Sequence, residues 1–339
     1  MLNPALPTYT SPITLLVADA VRKGVSTHLE NLSDHKVELE IRLGKLILKR
    51  EDQPLSFALS PSLEPSFATP VVLRQPNQYY FSSKTLNYAE YFDQHPHLFR
   101  PLYKAGRSTR QILQVNYANT ALSSTETLRC QYRITHPASR GNPYAKGELE
   151  HVIEKQKVSV TDVFCPISHK DFRVALSNEK SFDPSVITAA TPRGIEPSPW
   201  VCVNARLMRR NEYFVEPYFT LVTSGSKVKN FAQSPQGVEK GNRQARGHSE
   251  KTDLVRTSFT QPSDKPWFEA NVFLNAEKSQ SIEFEFDMAR IVRDFKCYSR
   301  GHMAHQSHRD THIQHDKNLP FFRTIAEQAL SLIDVIAKM

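Results

Sequence analysis

The fold class predicted for this chain is mainly β with flanking helices, its antiparallel strands closed into one barrel. Three observations predict it. From about residue 107 to 295 most segments alternate apolar and polar residues or are rich in β-branched and aromatic ones, with Pro, Gly and Asn between them. Two stretches, VELEIRLG at 37–44 and SIEFEFD at 281–287, set acidic side chains on one strand face and apolar ones on the other. Amphipathic helical stripes stand out at the two ends of the chain.

The 339 residues suffice for one large domain with a sizeable core, and 39% hydrophobic with 23% charged residues describes a globular chain. Lys plus Arg number 43 against 35 Asp plus Glu, and the resulting net charge of +8 favours a polyanionic partner such as nucleic acid or phosphate. The four cysteines, Cys130, Cys165, Cys202 and Cys297, are widely separated and form no Cys-x-x-Cys pair, so neither a zinc ribbon nor a disulfide framework is indicated and a reducing compartment is the simplest inference. No apolar run is long enough to span a bilayer and no leader pattern opens the chain, so a soluble intracellular protein with no membrane partner is expected.

Residues 1–10 read as a tail, 11–299 as the barrel domain, and 300–339 as a His-rich linker with a terminal helix. Within the barrel domain, Ser11 is the expected N-cap of a helix over 11–30, Pro12 its first residue, and Ile13, Leu16, Val17, Ala20 and Val21 its apolar stripe. The opening strand follows and continues through GKLILKRE; after a Pro/Ser-rich loop come VVLR and YYFSSKTLNYAEYF, whose second half has a helical pattern. The strands ETLRCQYRI, ELEHVIEKQKVSV, DFRVALSNE, VCVNARLMRRNEYFV, KTDLVRTSFT and SIEFEFDMARIV are expected next. Residues 225–250 are polar and read as a mobile hairpin insertion. Phe322, Ile325, Ala329, Leu332 and Ile336 define a last amphipathic helix packed on the barrel. His302, His305, His308, His312 and His315 have spacings of three or four residues that invite a metal reading, but no carboxylate or cysteine set accompanies them. A solvated linker or an acid-sensitive RNA contact is the alternative.

In the opening strand Glu38, Glu40 and Arg42 share one face. At a same-face spacing of roughly 6.7 Å and an effective dielectric of about 20, two ionised carboxylates repel by about 2.5 kcal/mol. A counter-cation would remove that cost; a solvated acidic face is the other reading of a single Glu-x-Glu. The pattern recurs as Glu283, Glu285 and Asp287. Between the acidic strands, Arg129, Gln131 and Arg133 align on one face, as do Lys155 and Lys157, Arg173, Ser177 and Glu179, Arg206 and Arg210, and Lys251 and Asp253. If the strands close into a barrel, these faces line a charged tunnel. Carboxylates suit hard cations such as Mg²⁺ or Mn²⁺, and Arg and Lys suit phosphate oxygens, so the pattern points to a metal-bound polyphosphate.

At these residues the chain resembles the metal-dependent RNA 5′-triphosphatases of fungal, protozoan and viral mRNA capping, within the triphosphate tunnel metalloenzymes. A helix followed by VELEIRLGKL, then VIEKQKV, DFRVALSNE, RLMRR, TDL and finally IEFEFD carries the resemblance, over roughly residues 11–295. It implies that Glu38, Glu40, Glu283 and Glu285 hold Mg²⁺ or Mn²⁺. It implies phosphate contacts from Arg129, Lys155, Lys157, Arg206, Arg210 and Lys251, to which Arg133 and Arg173 are added on the same faces. Glu179, Arg210, Lys155 and Asp253 form the implied catalytic set, Glu179 and Asp253 orienting basic side chains or an attacking water. The implied activity is hydrolysis of the γ-phosphate of triphosphate-ended nascent mRNA, the first step of capping, in the nucleus or, for a viral protein, the cytoplasm.

Two departures stand out. Met208 occupies the centre of RLMRR, where the family usually has Lys, and a β-bulge there would swing Arg209 rather than Arg210 inward. Lys251 stands where the family often has Arg, exchanging a bidentate grip for a point charge. The chain lacks a Lys-x-Asp-Gly nucleotidyl-transfer motif, so a guanylyltransferase partner on a separate chain is expected, and a homo-oligomer is compatible with the composition. Two other functions share these features: hydrolysis of inorganic tripolyphosphate or nucleoside triphosphates, although that branch favours Lys where Arg42 stands, and a catalytically silent RNA-end-binding subunit of the capping machinery.

Overall fold

The computed structural model describes residues 12–30, 35–49, 53–54, 71–73, 78–83, 107–119, 127–139, 142, 144–165, 171–183, 200–230, 267–303 and 319–337. In chain order the elements are helix α1 (Pro12–Glu30), strands β1 (His35–Leu48), β2 (Gln53–Pro54), β3 (Val71–Leu73), β4 (Tyr79–Ser82), β5 (Arg107–Asn119), β6 (Thr127–His136), β7 (Tyr144–Phe164), β8 (Asp171–Phe182), β9 (Trp200–Val215), β10 (Phe219–Asn230), β11 (Trp267–Glu269) and β12 (Glu277–Phe286), then helices α2 (Met288–Met303) and α3 (Leu319–Ala337).

Following the hydrogen-bonded neighbours from β1 leads through β8, β7, β6, β5, β9, β10 and β12 and back to β1, a closed ring of 8 strands. Every junction in it is antiparallel. Closure leaves no unpaired edge and gives each strand an inner and an outer face. The outer faces are apolar. Val37, Leu39, Ile41 and Leu43 of β1, Phe172, Val174 and Leu176 of β8, Leu221 of β10, and Ile282, Phe284 and Phe286 of β12 meet α1, α2 and α3 in one large cluster. A second cluster backs β5, β6, β7 and β9, joining Leu113, Val115, Cys130, Tyr132, Val152 and Ala205 to Phe268 and Phe273 of the β11 region. The core therefore lies outside the ring and the polar residues inside it.

At Gly44 of β1 the strand β4 crosses so closely that an added Cβ would stand 2.5 Å from both the Ser82 carbonyl oxygen and the Phe81 ring. Only glycine fits there. Just beyond it Asp171, fully buried, accepts backbone N–H bonds from Leu46 (2.8 Å) and Cys165 (3.0 Å), which ties β1 to the β7–β8 connection.

Three boundaries differ from the sequence reading. The polar stretch from 225 begins as ladder, because β10 runs to Asn230 with Gly225 opposite Arg209 and Gln280; residues 231–250 lie outside the described residues. SIEFEFDMARIV is not one strand: Asp287 accepts the Arg290 backbone N–H at 3.0 Å, and α2 starts at Met288. A side-chain acceptor there satisfies a first-turn donor that the strand ladder no longer serves. The helix then runs through residue 299 to Met303. Ser11, KTDLVRTSFT, the helical pattern expected after residue 83, and His305, His308, His312 and His315 lie outside the described residues; of the five histidines only His302 falls within one, in α2.

Candidate active site

The ring encloses a cavity of about 370 Å³, and the acidic strands meet on one wall of it. Register, set by the antiparallel ladder, puts Glu40 of β1 directly opposite Glu285 of β12, and Arg42 opposite Glu283. Like charges facing across a ladder destabilise it, so cations must intervene. Nη2 of Arg42 lies 2.9 Å from each carboxylate oxygen of Glu40, and its Nε lies 3.4 Å from Glu283. Arg210 of β9 donates from Nη2 to both oxygens of Glu285 at 2.8 Å and from Nε to Glu212 at 2.8 Å. Lys155 of β7 sits between Glu38, to which it donates, and Glu179, at 3.6 Å.

These contacts leave the charge unevenly balanced. Glu40 is 3% exposed, and burial, reinforced by Glu283 and Glu285, pushes its carboxyl up to about 7 despite Arg42. Burial also raises Glu285 against the pull of Arg210. It would raise Glu283 too, but Arg42 and Arg210 outweigh it and hold that carboxyl below the usual range. On the opposite wall burial lowers Arg129 and Arg206, and among the described residues neither has a carboxylate within ion-pair distance. The Arg129 Nε is buried without a hydrogen-bond partner.

The donor set fits a hard divalent cation: four carboxylates on two adjacent strands face one cavity, and Glu40 stays raised despite Arg42. Among the described residues no three His, Cys, Asp or Glu side chains converge as a ready cage, since each glutamate is turned toward an Arg or Lys.

Glu38, Glu40, Glu283, Glu285, Arg129, Lys155, Glu179, Arg206 and Arg210 all line the cavity. Three residues expected there do not. Arg133, where the β6–β7 register shifts, is exposed and pairs with Glu148 at 3.1 Å and Glu150 at 3.4 Å. Lys157, beside the Lys157/Ser159 register shift, is exposed. Arg173 grips Asp162 (Nε–Oδ1 2.6 Å, Nη2–Oδ2 3.0 Å) and stacks on Phe81 at 4.8 Å, which consumes its planar donor face in structure. Asp287 has become a helix cap, and Lys251 and Asp253 lie outside the described residues.

Strand β9 is regular across RLMRR, with Met208 buried toward the cavity, Arg209 exposed and Arg210 inward. The irregularity in the β5–β9 ladder lies further along, between Asn116 and Tyr117. Sequence reasoning missed Lys36, Arg110, Gln114, His151 and Glu212, which also line the cavity. Extending the same alternation would have found Glu212, two residues beyond Arg210, and Arg110 with Gln114 on β5.

No family model matches the chain, and no curated protein matches it in sequence. Among solved structures, the S. pombe RNA triphosphatase Pct1 superposes with a TM-score of 0.56 over 99% of this chain and 98% of its own, at 14% identity. Pct1 in complex with the Spt5 CTD gives a TM-score of 0.54 at 16% identity, covering 99% of this chain and 95% of the other. The mimivirus capping-enzyme triphosphatase overlaps at a TM-score of only 0.37 and 8% identity, over 79% of this chain and 87% of its own. The eight-stranded ring with its helices is thus a tunnel-like fold shared with Pct1 along nearly the whole chain.

Proposed function

We propose that the protein is a divalent-metal-dependent RNA 5′-triphosphatase that hydrolyses the γ-phosphate of triphosphate-ended RNA, leaving a diphosphate end, as the first step of mRNA capping. The observation that carries the proposal is the cavity itself, with four glutamates on adjacent strands across from Arg129 and Arg206, which have no carboxylate partner among the described residues. The Pct1-like fold supports it.

Glu38, Glu40, Glu283 and Glu285 would hold Mg²⁺ or Mn²⁺, which, when bound, polarises the γ-phosphate and offsets its charge. Arg129 and Arg206 bind non-bridging oxygens, an anion being the partner they lack. Arg210 is clamped by Glu285 and Glu212 into a fixed donor direction, so it meets developing charge with little reorganisation. Lys155 is shared between Glu38 and Glu179 and can turn toward a phosphate oxygen. Glu179, 8% exposed, accepts a hydrogen bond from the attacking water and takes its proton as the water oxygen bonds to the γ-phosphorus. The bond from that phosphorus to the β–γ bridging oxygen breaks, and the electron pair leaves with the diphosphate end.

A guanylyltransferase on a separate chain would take up the diphosphate end in the nucleus, or in the cytoplasm for a viral protein. Release of labelled phosphate from γ-labelled triphosphate RNA with Mg²⁺, Mn²⁺ or chelator is the test. Metal-dependent release is expected, and equal release in chelator overturns the proposal.

A further inference from the structure

Beside the tunnel lies a second cavity of about 490 Å³, which shares Lys36 and Glu285 with it. Part of its wall prolongs the inward rows of the ring past the rim, and Val37, Val215, Phe219 and Phe286 of the outward rows complete it with residues of α1 and α2. On β9, Phe214 follows Arg210 and Glu212; on β1, Lys36 precedes Glu38 and Glu40; on β10, Thr220 precedes Val222 and Ser224. The cavity adjoins the tunnel at the two shared side chains, Lys36 and Glu285.

The chemistry changes across the rim. Phe214 is 45% exposed, and Pro217 and Met288 add apolar wall. His28 of α1 brings an imidazole edge and Arg290 of α2 a guanidinium, and the buried His28 Nδ1 and Arg290 Nε have no hydrogen-bond partner. Glu216, Glu285 and Asp287, the last capping α2, face Lys36 and Arg290 on these walls, so the charge is within one unit of balance, unlike the tunnel's facing walls. That balance disfavours a second polyphosphate and suits a mostly neutral, planar group followed by a single anion. The volume falls within the range of about 300–1,000 Å³ usual for small-ligand sites.

We infer that this cavity receives the 5′-terminal nucleoside of an RNA whose triphosphate lies in the tunnel, its base stacked on Phe214 and the next internucleotide phosphate met by Arg290. The inference rests on reading the tunnel as the triphosphate site. It adds a specificity determinant outside the tunnel: a stacked base distinguishes a polynucleotide end from inorganic tripolyphosphate, which has nothing to place there. Base–aromatic stacking is tolerant of sequence, so the site reads the presence of a base rather than its identity.

The probe is a trinucleotide with a non-hydrolysable 5′-β,γ-imidotriphosphate, 2-aminopurine at its first position and a 3′-fluorescein, titrated with Mg²⁺ present. Anisotropy reads binding and 2-aminopurine quenching reads stacking. Binding to the full chain should quench the base. Phe214→Ala should abolish the quench and weaken binding five-fold or more, Phe214→Leu should keep the fold and lose the quench, and Arg290→Gln should weaken binding while the quench remains. Binding without quenching, or an equal quench in Phe214→Ala, overturns the subsite. If so, metal-dependent phosphate release from triphosphate RNA would still uphold the tunnel reading. A probe that does not bind at all removes both, and quenching in a protein that releases no phosphate removes the proposed reaction alone.

Discussion

Strands β1, β8, β10 and β12 lie under three helices, whereas β5, β6, β7 and most of β9 are backed by the smaller cluster around Phe268 and Phe273. The helix-backed half turns Glu38, Glu40, Glu179, Glu283 and Glu285 inward, and the other half turns in Arg110, Arg129, Lys155, Arg206 and Arg210. The segregation is not complete: Lys36 and Arg42 sit among the acids, and Glu212 among the bases. The difference teaches where rigidity is needed. Carboxylates crowded onto one wall repel and must be held by a packed backing, while Arg and Lys on long stems reach across from a lighter one.

The largest effect expected is on the acidic wall. Glu40→Ala and Glu283→Ala should each reduce phosphate release by about 1,000-fold or more while the protein stays folded, as circular dichroism would show. Near wild-type turnover in either would break the assignment of chemistry to that wall. On the basic wall Arg210→Ala should lower kcat by about 100-fold, since removing one aimed donor commonly costs this much. Its neighbour Arg209→Ala, pointing to solvent, should stay within about two-fold. A reversal of these two would mean that the strand is irregular where it now reads as regular.

Stability measurements sharpen the comparison. Leu39 and Leu113 are both fully buried, one in each cluster, and truncation to Ala should cost about 2–5 kcal/mol in either case. Leu39→Ala should cost the more, because three helices and four strands relax less around a void. Equal losses in chemical denaturation would show that the two backings are mechanically alike.

Glu40 gives the pH signature of the acidic wall. Its folded-state carboxyl titrates near 7 against an ordinary 4.5, so the native state holds the proton more tightly and stability falls as pH rises through that window. The fall is about 3 kcal/mol in metal-free protein. Glu40→Gln should remove it, melting higher than wild type at pH 8 in chelator and alike at pH 4.5. The smallest effect is expected from Met208→Lys. It places a cation between Arg206 and Arg210 and should change melting little, while tightening triphosphate binding in a competition assay.

The strand faces were legible because period-two alternation fixes sidedness without knowledge of neighbours, and VELEIRLG and SIEFEFD carried it through Glu38, Glu40, Glu283 and Glu285. Extent was harder to read. Arg133, Lys157 and Arg173 share parity with tunnel residues, but distance along a tilted strand decides whether a side chain reaches the cavity. Arg173 is taken up by Asp162, its cross-strand partner on β7, and by Phe81 from a strand remote in sequence, and the alternation within β8 announces neither. Asp287 looked like a third acid in a row because a helix cap and a strand carboxylate use the same residue type.

Closure with alternation has a consequence for how such a chain can drift. Neighbouring positions in each ring strand answer to different constraints: the inward one to charge and reach, the outward one to volume and apolarity. Cores accept volume-conserving exchanges cheaply, so the outward series can be rewritten by many small steps without disturbing the inward one. A comparison that weighs all positions alike then loses the likeness early. Shape keeps it longer, as in a chain 14% identical to Pct1 that still superposes on it over 99% of its length.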